Sequence, residues 1–218
     1  MQNSRTLIAA IILLLFIIAG LTITGPQEKT WGVNVRVVYL HGAWVWTAIL
    51  AFAAAGLAGI VGLVTGREGI HKWSRAFGRT GLFFWIMYLP LSIWAMQTNW
   101  NGLFLAEPRW RMAVIFALGG MLIQIGVTLL ENPVWASIGN LVFIILLGLA
   151  VWNTPNVMHP NSPILESDAV RIQAFFFSLL AAAVLLALFR KDPLLRAIAG
   201  RRKKQEPRSR RVNARSAE

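Results

Sequence analysis

Apolar residues dominate six stretches of the chain, residues 7–24, 37–65, 80–97, 112–130, 134–152 and 170–189. Each is close to or above the roughly 20 residues that a helix needs to cross a hydrocarbon layer. No stretch carries a central Asp, Glu, Lys or Arg. The pattern predicts an all-α, polytopic membrane protein of six transmembrane helices. The first stretch follows Arg5 and is read as an uncleaved span, because its apolar core outruns that of a signal peptide and Pro26 follows it. The second is longer than one crossing requires, and its Ala51, Ala55 and Gly59 lie four apart, with Gly56 and Gly62 nearby. Small residues at that spacing form a flat stripe for close helix contact.

The polar positions divide the chain further. Residues 66–79 read as a basic loop holding Arg67, Lys72, Arg75 and Arg79. Glu131-Asn132-Pro133 makes a tight turn, with Pro133 suited to open the fifth helix. Asp168 or Ser167 can cap the sixth. Gln124, Thr128 and Asn140 are polar residues inside spans, where helix-to-helix hydrogen bonds are their expected use. The absence of intramembrane charge argues against a proton pump or ion-coupled transporter.

Charge sets the orientation. Of 21 basic residues, Arg5, four in 66–79 and eleven from Arg190 to Arg215 fall on one side, sixteen against five on the other. That bias predicts both termini in the cytoplasm of a multi-pass cytoplasmic-membrane protein. The domain reading is a membrane domain over 1–190, with outer loops 26–36, 98–111 and 153–169, and a basic, disordered cytoplasmic tail over 191–218. The net charge of +12 is concentrated in that tail, which reads as a segment lying on anionic membrane lipid rather than on nucleic acid. Cysteine is absent, which excludes disulfides, thiolate metal sites and covalent haem attachment from this chain alone.

Two of the three histidines, His41 and His159, share the predicted outer side, while His71 is cytoplasmic and stands apart. Haem iron accepts two axial imidazoles, whereas zinc calls for three or four protein ligands, so a two-histidine site suits non-covalent, bis-histidine haem. Seven of the ten tryptophans lie in the outer half: Trp31, Trp44, Trp46, Trp94, Trp100, Trp110 and Trp152. They are either an interfacial belt or a packing surface for a macrocycle. Glu107-Pro108-Arg109 enters the fourth span, where Arg109 can meet a haem propionate or pair with Glu107 at the interface.

These features together resemble the haem-handling membrane proteins of cytochrome c assembly, the CcmC branch in particular, from about residue 31 to residue 189. Arg36-Val-Val-Tyr39-Leu-His41 is similar to that family's Arg-x-x-Tyr-x-His segment opening its second span. Trp152-Asn153-Thr154, followed by His159, is similar to its Trp-Asn-Thr segment with a later histidine. The outer segment between spans three and four is divergent: Glu107 stands for an aspartate and Arg109 matches an arginine, but Phe104 and Ala106 occupy tryptophan positions. The resemblance implies that His41 and His159 are the axial ligands of haem iron. The expected site adds Trp100, Phe104 and Trp110 stacked on the macrocycle, with Glu107 beside Arg109. It also implies a carrier, not an enzyme, which passes haem to cytochrome c maturation partners such as a haem chaperone and an ABC transporter. Two other readings fit the same residues: a cytochrome b-type electron-transfer anchor, and a structural membrane subunit without haem.

Overall fold

A computed structural model describes residues 4–155, 157, 164 and 168–189 of the protein. It holds six α-helices: α1 (Ser4–Thr24), α2 (Val35–Thr65), α3 (Glu68–Trp100), α4 (Pro108–Leu129), α5 (Pro133–Asn153) and α6 (Val170–Phe189). All six are long and apolar enough to span a membrane. The tail over 191–218 and its expected disorder lie outside the described residues.

Four helix boundaries show a local cause. α2 stops at Gly66, whose left-handed backbone (φ 64°) lets its N–H reach the Gly62 carbonyl at 2.9 Å, a geometry that suits glycine. α3 ends on Asn101, also left-handed (φ 50°). α4 begins with Pro108 behind a capping Glu107, whose carboxylate accepts the Trp110 N–H at 2.7 Å. α5 begins with Pro133 behind Asn132, whose Oδ1 accepts the Val134 N–H at 2.9 Å. A proline at the first helical position gives up only an N–H that had no intrahelical partner.

The structure corrects the sequence in one large respect. Residues 66–79 are not a loop, because α3 starts at Glu68 and the link from α2 shrinks to Gly66 and Arg67. The outer loop expected over 98–111 likewise shortens to residues 101–107. The reason is amphipathicity rather than hydropathy. His71, Ser74, Gly78 and Gly81 recur every three or four residues, and all four face inward while the charged residues between them stay partly or fully exposed. His71, expected to stand in a cytoplasmic loop, is instead 3% exposed.

α2, α3 and α5 form the centre of the bundle, α4 lies on α3 and α5, and α1 pairs with α6 on the far side of α2. The small-residue stripe of α2 is used as its spacing predicts. A Cβ on Gly59 would stand 2.8 Å from the Ser137 carbonyl oxygen, and one on Gly62 would stand 2.8 Å from the His71 ring. Gly81 leaves room for Phe52, which packs on Phe143 (centroids 4.6 Å apart) and Trp85 (6.2 Å).

A polar network crosses this centre. His71 Nδ1 and Ser137 Oγ share a 2.7 Å hydrogen bond. Asn140 Nδ2 donates to the Ser74 carbonyl (2.8 Å) and Oγ (3.1 Å), and Asn140 Oδ1 accepts from Gln124 Nε2 (2.8 Å). Ser74 Oγ donates to the Ala55 carbonyl at 2.8 Å. Four helices are thereby joined by side chains whose unmet polarity would be expensive in an apolar surround.

α2 and α3 have 31 and 33 residues, against 20 to 22 in the others. At 1.5 Å per residue they are about 46 and 50 Å long, well beyond a hydrocarbon thickness of about 30 Å.

Candidate functional site

At the end of the bundle that carries His41, the start of α2 meets the end of α3. Asparagines clamp the two ends together: Asn34 Nδ2 donates to the Thr98 carbonyl (3.1 Å) and Asn99 Nδ2 to the Asn34 carbonyl (3.4 Å). Trp31 and Trp100 pack edge to face beside them, with centroids 5.3 Å apart. Glu28 organises the loop before α2. Its carboxylate accepts the Thr30 N–H (2.7 Å) and the Trp31 N–H (3.1 Å), and these bonds, that from Thr30 first, hold its pKa below the ordinary glutamate value.

His41 lies six residues inside α2, about 9 Å from its first residue. The Arg36-x-x-Tyr39-x-His41 spacing distributes its three side chains to different neighbours. Arg36 Nε donates to the Gly25 carbonyl at 2.9 Å, tying the exit of α1 to α2. Tyr39 is 1% exposed and packs on Phe175 of α6 (5.4 Å). His41 is two residues further on, about 200° around the helix, and its half-buried ring meets Tyr88 of α3 at 5.4 Å. Tyr88 in turn packs on Trp85 (5.0 Å), whose Nε1–H donates to the Ala113 carbonyl of α4 (3.0 Å).

The segment before α4 meets this group from the side. Trp85, packed on Tyr88, bonds to Ala113, which lies four residues beyond Arg109 and six beyond Glu107. Glu107 spends Oε2 on the cap of α4, while its Oε1 is buried and accepts no hydrogen bond among the described residues. A carboxylate there also faces the positive end of the α4 dipole. Arg109 reaches the other way. Its Nε donates to the Thr154 carbonyl (3.3 Å) and its Nη2 to the Val151 carbonyl (3.4 Å), so a cation meets the negative end of α5. The Glu107–Arg109 pairing weighed from sequence thus gives way, in these contacts, to two helix ends satisfied separately.

A chain of contacts therefore runs from His41 of α2 through Tyr88 and Trp85 of α3 to α4, and Arg109 joins the start of α4 to the end of α5. Ile164, from the chain between α5 and α6, reaches within 3.8 Å of where a Gly42 Cβ would stand, one residue from His41. His159 lies outside the described residues. The expected aromatic platform is not gathered at His41. Trp100 packs on Trp31, Phe104 lies by Gly102 with 41% of its surface exposed, and Trp110 is half-buried at the first turn of α4. Trp152, 88% exposed, faces outward. Tyr88 is the site residue that sequence reasoning missed; its signal was a lone tyrosine two residues before Pro90, in a helix otherwise lined with phenylalanine and tryptophan. Comparison with models of known protein families, with curated proteins and with solved structures finds no match.

The donor chemistry at this place is one imidazole, a neighbouring phenol, a carboxylate and a guanidinium. Among the described residues no group of three or more His, Asp or Glu stands ready to hold a metal ion. An iron already carried in a macrocycle asks less of the protein, one or two axial nitrogens and flat apolar contact.

Proposed function

We propose that the protein spans a cytoplasmic membrane six times with both termini inside, binds haem at its outer face and hands it to a cytochrome c maturation partner. In this reading the chain is a CcmC-like carrier and haem is its cargo. Sixteen basic residues against five support the orientation, and Arg67 in the link, with Lys72, Arg75 and Arg79 in the first turns of α3, stays at the same end as in the loop reading.

The observation that carries the proposal is the convergence around His41. Arg109 binds the segment before α4 to the very end of α5, from which the chain runs on toward His159. His41 and Tyr88 are linked to the same helix through Trp85, which donates to the Ala113 carbonyl four residues beyond Arg109. In the proposed complex His41 and His159 supply the axial nitrogens. Tyr88 sets the His41 ring plane, and Arg109 offers positive charge to a propionate from beside the carbonyls that orient it. The exposed side chains of Leu103, Phe104 and Leu105 (53, 41 and 48%), with Trp100 and Trp110 nearby in sequence, give a porphyrin an apolar edge to lie on. The first turns of α2 rise about 9 Å beyond His41 beside it, facing a soluble partner above the membrane.

Haem retention tests this directly. Protein purified from haem-supplied cells should show a Soret band, and His41→Ala and His159→Ala should each lower haem retention by about tenfold or more, the scale on which metal-supporting contacts act. An undiminished Soret band in both variants ends the proposal. Haem that stays bound through repeated redox cycling, without passing to an apo-acceptor, would instead identify an electron-transfer anchor.

A further inference from the structure

At the end of the bundle away from His41, α2 outlasts two of its neighbours. Arg36, the second residue of α2, holds the Gly25 carbonyl just past the end of α1. Gly42 lies against α6, where a Cβ would stand 3.2 Å from the Phe176 ring. The three helices are thus level at the His41 end. α1 and α6 have 21 and 20 residues, enough to cross the hydrocarbon once, whereas α2 has 31. Phe189, the last residue of α6, lies as far beyond Phe176 as Ala55 lies beyond Gly42. From Ala55, α2 runs on to Thr65, about 15 Å further. Charge marks the same level, since Arg5 stands in the first turn of α1 and Arg190 follows α6. Cations at helix ends belong to the edge of the hydrocarbon.

The part of α2 that runs on keeps an apolar stripe. About 18 residues complete five helical turns, so Leu57 repeats the direction of Tyr39, and Ile60 that of Gly42. Phe175 and Phe176 of α6 cover Tyr39 and Gly42. Leu57 and Ile60 are instead 65% and 44% exposed, with Val61 at 47% and Val64 at 81%. The other faces of α2 are occupied at this level, by His71 of α3 against Gly62 and by Ser137 of α5 against Gly59. Apolar surface left outside the hydrocarbon forgoes about 25 cal/mol for each Å² that could be buried. The chain beyond α6 begins at this place. Its sequence, outside the described residues, is Arg190-Lys191-Asp192-Pro193-Leu194-Leu195-Arg196-Ala197-Ile198-Ala199-Gly200. Asp192 with Pro193 is a helix-start pattern and Gly200 a helix stop. Leu194, Leu195 and Ile198 have the spacing of one apolar helix face. Residues 193–199 would be about 10 Å long in that form, within the length of the exposed stripe, and residues 190–192 give about 10 Å of chain in which to turn.

We propose that residues 193–199 of this same chain dock on the Leu57–Ile60–Val64 stripe of α2, with Leu194, Leu195 and Ile198 turned onto it. The inference rests on α1 and α6 being membrane spans and is independent of haem. The chain has no cysteine of its own, so introduced thiols in the full-length protein report on the docking. In permeabilised membranes, Val64→Cys should react slowly with a water-soluble maleimide. Adding Leu194→Ser, Leu195→Ser and Ile198→Ser should speed that reaction about tenfold or more, the scale set by uncovering one large apolar side chain. Ile60→Cys, paired in turn with Leu194→Cys, Leu195→Cys and Ile198→Cys, should form an intramolecular disulfide in at least one pair, because that bond needs Cβ atoms within about 4.5 Å. Leu122→Cys, on an exposed face of α4, should form none with the same three partners, which separates docking from random collision. Fast labelling of Val64→Cys with or without the serine changes means a bare stripe, and slow labelling in both means that lipid covers it. A disulfide joining two chains through Ile60→Cys means that a second copy does. Each of these overturns the proposal, as does the failure of all three Ile60→Cys pairs to cross-link.

Discussion

An amide in the interior of an apolar helix must find its partners on neighbouring helices, and Asn140 does. It donates to Ser74 of α3 and accepts from Gln124 of α4, and Gly78 makes the approach possible. A Cβ at Gly78 would overlap the Asn140 carboxamide. Interhelical hydrogen bonds within a membrane are worth on average about 0.6 kcal/mol, with a maximum near 1.7 kcal/mol. Asn140→Ala removes three of them and leaves Gln124 facing a void, so it should cost about 1–3 kcal/mol. Gly78→Ala should cost a similar amount by steric conflict. The two effects share one cause, since removing the carboxamide vacates the space that the new methyl needs. Reversible unfolding in mixed micelles should therefore show the double variant to be less destabilised than the sum of the singles. Strict additivity would mean that the two residues do not touch.

At the scale of the element, helix ends at the His41 rim are joined by charge. Glu107 caps the start of α4 and Arg109 closes the end of α5, so a single short segment satisfies two helix dipoles. Hydrogen bonds from a charged donor contribute about 1.5–3 kcal/mol each. Arg109→Gln should accordingly raise hydrogen exchange by about tenfold or more at residues 101–107 and 152–154, while the network at Asn140 stays protected. Unaltered exchange at the rim would show that the guanidinium is not holding it.

What the sequence disclosed and what it hid differ for physical reasons at this scale. All six helices were legible from apolar run length, and the Pro133 turn and the small-residue stripe of α2 from their local chemistry. The first three turns of α3 were not, because averaging hydropathy over residues 66–79 lets four cations mask an inward stripe of His71, Ser74 and Gly78. A helical period of small and polar residues marked that stripe; hydropathy did not. The convergence of Arg109 on Val151 and Thr154 had no sequence signal at all. It depends on the end of α5 and the start of α4 coming level, which run length does not specify.

For the whole molecule the open physical question is which end faces which compartment, and the chain is suited to answer it because it contains no cysteine. Any single cysteine introduced is then the sole thiol. Leu103→Cys would place one in the 101–107 segment at the His41 end, where Leu103 is 53% exposed. Glu131→Cys would place one in the turn between α4 and α5 at the opposite end, at an exposed residue. An impermeant maleimide added to intact cells should label the first variant, and should label the second only after the membrane is permeabilised. The charge asymmetry demands that polarity, because cationic loops are retained on the cytoplasmic side. It also decides whether the His41 rim can serve an acceptor outside the cell membrane. Labelling in the reverse order would put His41, Tyr88 and Arg109 in the cytoplasm, where delivery to an outer-side cytochrome c is impossible.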